Sequence, residues 1–276
     1  TEDRQGLVAK SSSSAIIPNM DFSGKLPPGH HLVETLDGSW TLFSEAFQEA
    51  CHSTNGARAE TKLHYLEGCK VQERIERFNP FNILEVGFGL GIGFLTTYET
   101  IPRDKKWKFI SLEIDRNLLE WFKEGQKKHE FLRNLEWRDN LLIARNDNLE
   151  LIIIQGDARV ELARYLKDYP VKWHAVYQDA FSPKRNPTLW TKEWFELLNK
   201  YSHEEAILST YSASTSVRKS MHEAGWGVQK GEPFGPKRTS TRANLKMPTD
   251  PEILLQLERS PAPALTDLQI DSFKLK

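Results

Sequence analysis

One stretch, residues 83–94, ILEVGFGLGIGF, constrains the fold more than any other part of the chain. Phe81, Ile83, Leu84 and Val86 make the short apolar run of a buried parallel strand. Glycines then alternate at Gly87, Gly89, Gly91 and Gly93, and a helical pattern follows through Phe94, Leu95 and Tyr98. Strand, glycine turn and helix bring bare backbone to a helix N-terminus, where a small ligand can lie. The G-x-G-x-x-G frame of a dinucleotide site fails: its last glycine would fall on Ile92 counted from Gly87, or on Phe94 counted from Gly89. No Gly-Lys-Ser/Thr follows, so the turn is not a P-loop. A turn that only packs a helix on a strand is the plain alternative. Four alternating glycines weaken both elements without a packing return, which favours the ligand.

The 276 residues suit one α/β domain with a small N-terminal appendage. Hydrophobic residues at 39% allow a sizeable core, and the lack of an 18-residue apolar run predicts no membrane span. The start, TEDRQGLVAKSSSSAIIP, has no apolar signal core. Cys51 and Cys69 form no C-x-x-C pair and read as free thiols of a reducing, cytoplasmic setting. With a net charge of −1, a nucleic-acid partner must meet a local basic surface.

In chain order, residues 1–28 read as poorly ordered, and Asp37-Gly38 marks a hairpin turn. Helices are expected at 44–51, 58–67 and 71–78. Strands at 107–113, 151–154, 173–177 and 206–210 then alternate with helices at 115–130, 160–166, 191–201 and 214–224. Residues 131–148 show no clear pattern, and 228–234 opens a hairpin that returns near 242–245. The alternation predicts an α/β fold, a mostly parallel sheet with helices on both faces. The expected divisions are an appendage at 1–78, the main domain at 79–247 and a peripheral tail at 248–276.

Ligands in such sheets bind outside the carboxyl ends of the strands. Glu113 ends the second strand, where a carboxylate can accept both hydroxyls of a ribose. Asp157 ends the third and Asp179 the fourth. Singly, each acid is as readily a helix cap or a solvated loop residue; together they describe a nucleoside pocket. After the fourth strand comes QDAFSPKRNPTLW. There Pro183 and Pro187 stiffen the loop, Phe181 offers a face for a planar base, and Lys184 and Arg185 suit phosphate. A rigid surface loop with a buried Phe is the alternative. Tyr211, after the fifth strand, reads equally as a pocket wall or a core tyrosine. Seven cations between 218 and 246, Lys237 and Arg238 among them, outnumber Glu223 and Glu232 and suggest a basic patch or a solvated charged face.

Glu85 followed by the glycines, acid-x-Gly-x-Gly-x-Gly, resembles the first motif of class I (Rossmann-like) S-adenosylmethionine-dependent methyltransferases. Asp179, Phe181, Pro183, Asn186, Pro187, Trp190 and Thr191 match a D-x-F-x-P-x-x-N-P-x-x-W-T segment of the MnmC family, the tRNA 5-methylaminomethyl-2-thiouridine biosynthesis proteins. GWGVQKGEPFGPKR and CHSTNGARAETKLHYLEG are similar to two further segments of its methyltransferase domain. The resemblance spans about residues 30–245. Gly93 departs from it, standing where an Asn is common, and the expectation is of a methyltransferase domain without the FAD oxidase region.

The resemblance implies S-adenosyl-L-methionine as cofactor, with no metal and no FAD. Its site would comprise Glu85, Gly87, Phe88, Gly89, Gly91, Glu113, Asp157 and Ala158. It implies methylation of the amine of 5-aminomethyluridine, or its 2-thio form, in the anticodon region of tRNA, on a ready-made aminomethyl group and away from membranes. Asp179 would be the catalytic carboxylate, and Phe181, Lys184, Arg185, Tyr211, Lys237 and Arg238 would hold the tRNA. An aminopropyltransferase of the spermidine-synthase type, a small-amine methyltransferase and a nonenzymatic RNA-binding module are the rivals.

Overall fold

The computed structural model describes residues 25–36, 40–236 and 239–274. The start at 1–24, the Asp37-Gly38 turn and the Lys237-Arg238 pair lie outside the described residues. Strands β1 (His30–Glu34), β2 (Trp40–Ser44) and β3 (Glu49–Ala50) form a small antiparallel front sheet. Then come β4 (Phe81–Val86), β5 (Trp107–Glu113), β6 (Glu136–Arg138), β7 (Leu141–Arg145), β8 (Leu149–Gln155), β9 (Trp173–Gln178), β10 (Ser202–Thr210), β11 (Gly227–Gly231) and β12 (Ser240–Asn244). They make one sheet in the order β11-β12-β10-β9-β4-β5-β8-β7-β6. The central strands from β10 to β8 are parallel, and an antiparallel hairpin closes each edge.

The helices are α1 (Ala57–Thr61), α2 (Val71–Arg74), α3 (Ile92–Thr100), α4 (Arg116–Gly125), α5 (Ala158–Asp168), α6 (Lys192–Lys200), α7 (Thr215–Glu223), α8 (Pro251–Arg259) and α9 (Asp267–Lys274). β4 is buried throughout because helices cover both faces of the sheet. Ile83 packs into one apolar layer with Phe94, Phe109 and Tyr177, while Leu84 and Val86 point into the other, with Ile110, Val176 and Trp194. From β4 the chain moves outward to β5 and β8, then crosses back to β9 and β10. This reversal leaves a crevice between the carboxyl ends of β4 and β9.

Two expectations are corrected, and one stretch left open is filled. Residues 44–51 form no helix: the end of β2, a turn and β3 stand there, because the Phe47 ring is used on a distant aromatic. The uninterpreted stretch 131–148 contains the β6–β7 edge hairpin. The stretch after 247 is not peripheral: α8 buries Ile253 and Leu257 against the layer that holds Trp226, and Asp250 caps it by accepting from the Glu252 and Ile253 amides. Among the described residues, no helix is long and apolar enough to cross a membrane.

The glycine turn is matched to the side chain beneath it. Glu85 is fully buried, accepts a 2.6 Å hydrogen bond from Ser111 Oγ, and lies where a Cβ on Gly93 would run into its Oε1. Burial pushes the Glu85 carboxyl well above the usual carboxylate range. Gly93→Ala should therefore destabilise the protein by about 1–3 kcal/mol through overpacking, visible as a Tm lowered by several degrees in a thermal melt.

Candidate active site

A cavity of about 630 Å³ opens at the crevice. Its walls come from the glycine turn, from the strand ends at Glu113, Asp157 and Asp179, and from the front-sheet stretch around Phe47 and Glu49. Gly87 has φ 98°, and a Cβ there would stand 2.6 Å from the Asp179 carbonyl oxygen. The residue is glycine because the turns after β4 and β9 touch at this point.

Glu113 closes one end of the cavity. Its Oε2 accepts from the Gly89 amide at 3.0 Å and its Oε1 from the Asp115 amide at 2.9 Å. Burial pushes this carboxyl up to about 7, against the lowering effect of those amides. Asp115 caps α4 through the Asn117 and Leu118 amides, and Asp157 caps α5 through the Arg159 amide. Asp157 thus holds both roles weighed for it, as a cap and as a cavity wall beside Ala158.

Asp179 stands at the opposite lip. Its amide donates to the Val86 carbonyl, tying β9 to β4, and its Oδ1 accepts from the Tyr65 hydroxyl at 2.6 Å. The following loop is braced from below: Trp190 Nε1 donates to the Phe181 carbonyl, and Gln178 Nε2 to that of Leu189. Arg159 donates to Thr188 O and Thr191 Oγ1 and pairs with Asp267 of α9. The front sheet grips the same loop, as Glu49 Oε2 accepts from both the amide and the hydroxyl of Ser182. Phe181 stacks on Phe47, with ring centres 4.4 Å apart. Tyr211 lines the cavity and donates to the Ala180 carbonyl, so it is a wall.

The cavity thus brings together Gly87, Gly89, Glu113, Asp157, Ala158, Asp179, Phe181 and Tyr211. Glu85, Phe88 and Gly91 do not line it. Phe88 is a core residue, edge-on to Phe122, because the turn points its ring inward; Glu85 and Gly91 shape the turn from below. Lys184 and Arg185 are exposed beyond the cavity wall. Among the described residues, most cations of the anticipated basic patch are engaged within the fold. Arg218 is buried and donates to Thr241 Oγ1 and Ser240 O, while Lys230 and Lys246 pair with Glu252 and with Glu204 and Glu205.

The sequence reading missed Phe47, Glu49 and Tyr65 as parts of the site. Tyr65 sits inside LHYLEG, where His64, Leu66, Glu67 and Gly68 match the family segment, and that was the available signal. The cavity has a marked electrostatic character. Glu49, Glu113, Asp115, Asp157 and Asp179 line it, against Arg116 as the lysine or arginine among its described residues. Burial pulls His52, also in the wall, down to about 4, so it adds no positive charge at neutral pH. A cation is the ligand that this wall favours. Glycine turn, buried strand-end glutamate and acidic wall together make a cavity suited to a small cationic ligand.

Residues 120–246 match the family model described as S-adenosyl-L-methionine-dependent methyltransferase. The tRNA 5-methylaminomethyl-2-thiouridine biosynthesis bifunctional protein MnmC of Paraburkholderia phymatum is 28% identical over 72% of this chain and 32% of its own length. The MnmC of Azoarcus sp. is 30% identical over 73% of this chain and 34% of its own. The chain therefore spans about a third of these curated relatives. The crystal structure of MnmC2 from Aquifex aeolicus is 28% identical, with a TM-score of 0.70, over 91% of this chain and 82% of that one.

Proposed function

We propose that this chain, a member of the S-adenosyl-L-methionine-dependent methyltransferase family, methylates the amine of 5-aminomethyluridine or its 2-thio form at the wobble position of tRNA, in the cytoplasm. The acid-rich cavity at the switch point, with Asp179 at its lip, carries this reading. The names of the MnmC relatives support the acceptor. Glu113 would hold the ribose, Gly87 and Gly89 the bare-backbone edge, and Asp157 and Ala158 the base. When bound, S-adenosyl-L-methionine supplies an electrophilic methyl carbon, which the amine's lone pair takes as the carbon–sulfur pair returns to sulfur.

The chain's own groups prepare the acceptor. An alkylammonium with a pKa of about 10 has no lone pair to give. Asp179 attracts the ammonium, orients it and receives its proton for transfer to water, then steadies the methylated ammonium that forms. Phe181 provides the face for the uracil, and Tyr211 bounds the slot.

Acidic walls also suit a polyamine acceptor, so the deciding assay follows labelled methyl groups into aminomethylated, unmodified and bulk tRNA and into added spermidine, with mass analysis of the products. Label in 5-methylaminomethyluridine from the aminomethylated tRNA alone is the expected result. Label in polyamine, or none, overturns it. Lys184 and Arg185, exposed beside the lip, are assigned to phosphate together with Lys237 and Arg238. Replacing Lys184 and Arg185 by Glu should raise the KM for tRNA and flatten its log-salt slope by about 1–2, leaving cofactor affinity unchanged.

A further inference from the structure

Tyr65 belongs to the segment before β4, yet its hydroxyl reaches a carboxylate 114 residues further on. It lies in a π-helical stretch, Lys62–Glu67, that continues α1. Short π segments recur at functional sites because they redirect side chains out of α-helical register. Here one contact and one missing side chain seat the stretch. Ser209 Oγ of β10 donates to the His64 carbonyl, and a Cβ on Gly68 would run into that same hydroxyl. The helix thereby lies close on the sheet, and Tyr65 turns inward. The residue is 2% exposed, and its ring stacks on Tyr177 of β9 at 5.3 Å. The Tyr177 hydroxyl in turn meets Thr97 Oγ1 of α3 at 3.2 Å.

We propose that Tyr65 is a positioning residue for methyl transfer, acting through Asp179. The inference rests on the function proposed above. An ionised carboxylate only accepts, so the 2.6 Å contact is a phenol O–H donated to Asp179 Oδ1. Such a donor favours the ionised carboxylate and fixes its plane. Burial, then the Asp179 charge, push the Tyr65 phenol well above its usual range, so the proton stays on the tyrosine as the donor requires. Asp179 lines the cavity and Tyr65 does not: the tyrosine holds the carboxylate from behind and touches no substrate. The other acidic groups that reach Tyr65 are Glu60 of α1 and Tyr211 after β10.

Tyr65→Phe keeps the ring, the stack on Tyr177 and the helix, and removes only the donor. It should lower kcat for aminomethylated tRNA by about 10–100-fold, move the acid limb of kcat/KM to higher pH, and leave S-adenosyl-L-methionine affinity within about twofold. A 3-fluorotyrosine placed at position 65, a stronger donor of the same shape, should move that limb the other way. With Asp179→Asn in place, Tyr65→Phe should cost little more, since both act through one carboxylate. An unmoved kcat and pH profile overturns the proposal. So does a loss that is equal at every pH and accompanied by lost cofactor binding, because that marks a structural role. A wild-type protein that leaves aminomethylated tRNA unmethylated removes the acceptor reading itself, an outcome read before any variant.

Discussion

Asp179→Ala is expected to slow methyl transfer by about 10²–10⁴-fold, the range of a lost acid–base group, with S-adenosyl-L-methionine binding changed by no more than about threefold. The separation follows from where the side chain sits. Its backbone ties β9 to β4 through the Val86 carbonyl and packs on Gly87, and Ala keeps both. On the proposed function, the carboxylate is the part that would meet the acceptor. Ala also strands the Tyr65 hydroxyl, so Asp179→Asn, which retains an acceptor oxygen, is the companion variant. Single-turnover rates with saturating cofactor, beside calorimetric cofactor binding, check both. Wild-type turnover by either variant would remove Asp179 from the chemistry.

The second large effect concerns Glu113 and pH. Burial raises this carboxyl from its usual 4.5 to about 7. Between those values the folded protein holds more protons than the unfolded chain. The contribution of Glu113 to stability is thus greatest at the acidic end and is lost as pH rises through 7. Cofactor binding has the opposite sign, since two ribose hydroxyls donate best to the ionised form. Below pH 7 the ligand must displace a proton, and its affinity should fall by about tenfold per pH unit. Above 7 it should level off. Glu113→Gln should weaken binding by about 10–100-fold at pH 8 and abolish the pH dependence. Titration calorimetry between pH 5.5 and 8.5, in buffers of different ionisation enthalpy, reads the affinity and the released proton together. A flat wild-type profile would refute the ribose assignment.

The parallel core was legible because each strand is a short apolar run that stops at a turn former. Phe81–Val86 and Trp107–Glu113 stand where the periodicity put them. The acids at the strand ends were legible for the same reason, since a strand end is a place in the sequence. What depends on distant partners was not. Ala46, Phe47 and Ala50 have helical spacing, but the Phe47 ring is held by Phe181, 134 positions away in the chain. The β6–β7 hairpin is an edge whose strands are short and joined by the polar turn Asp139-Asn140. Counting cations between 218 and 246 said nothing about which of them the fold would swallow, and Arg218 is swallowed whole. Tyr65 looked like one more apolar position on a helix, because a π register leaves no mark on hydrophobic periodicity.

Three contacts at the lip, Glu49 with Ser182, Phe47 with Phe181 and Tyr65 with Asp179, all run from the chain before β4 to the chain after β9. They form a seam between an early and a late length of polypeptide. A ribosome must release more than half of the protein before that seam can close. The glycine turn is made long before then, but Asp157, Ala158 and Asp179 all arrive with the later length, so the cavity gains its full set of walls only when the second half of the chain has been delivered.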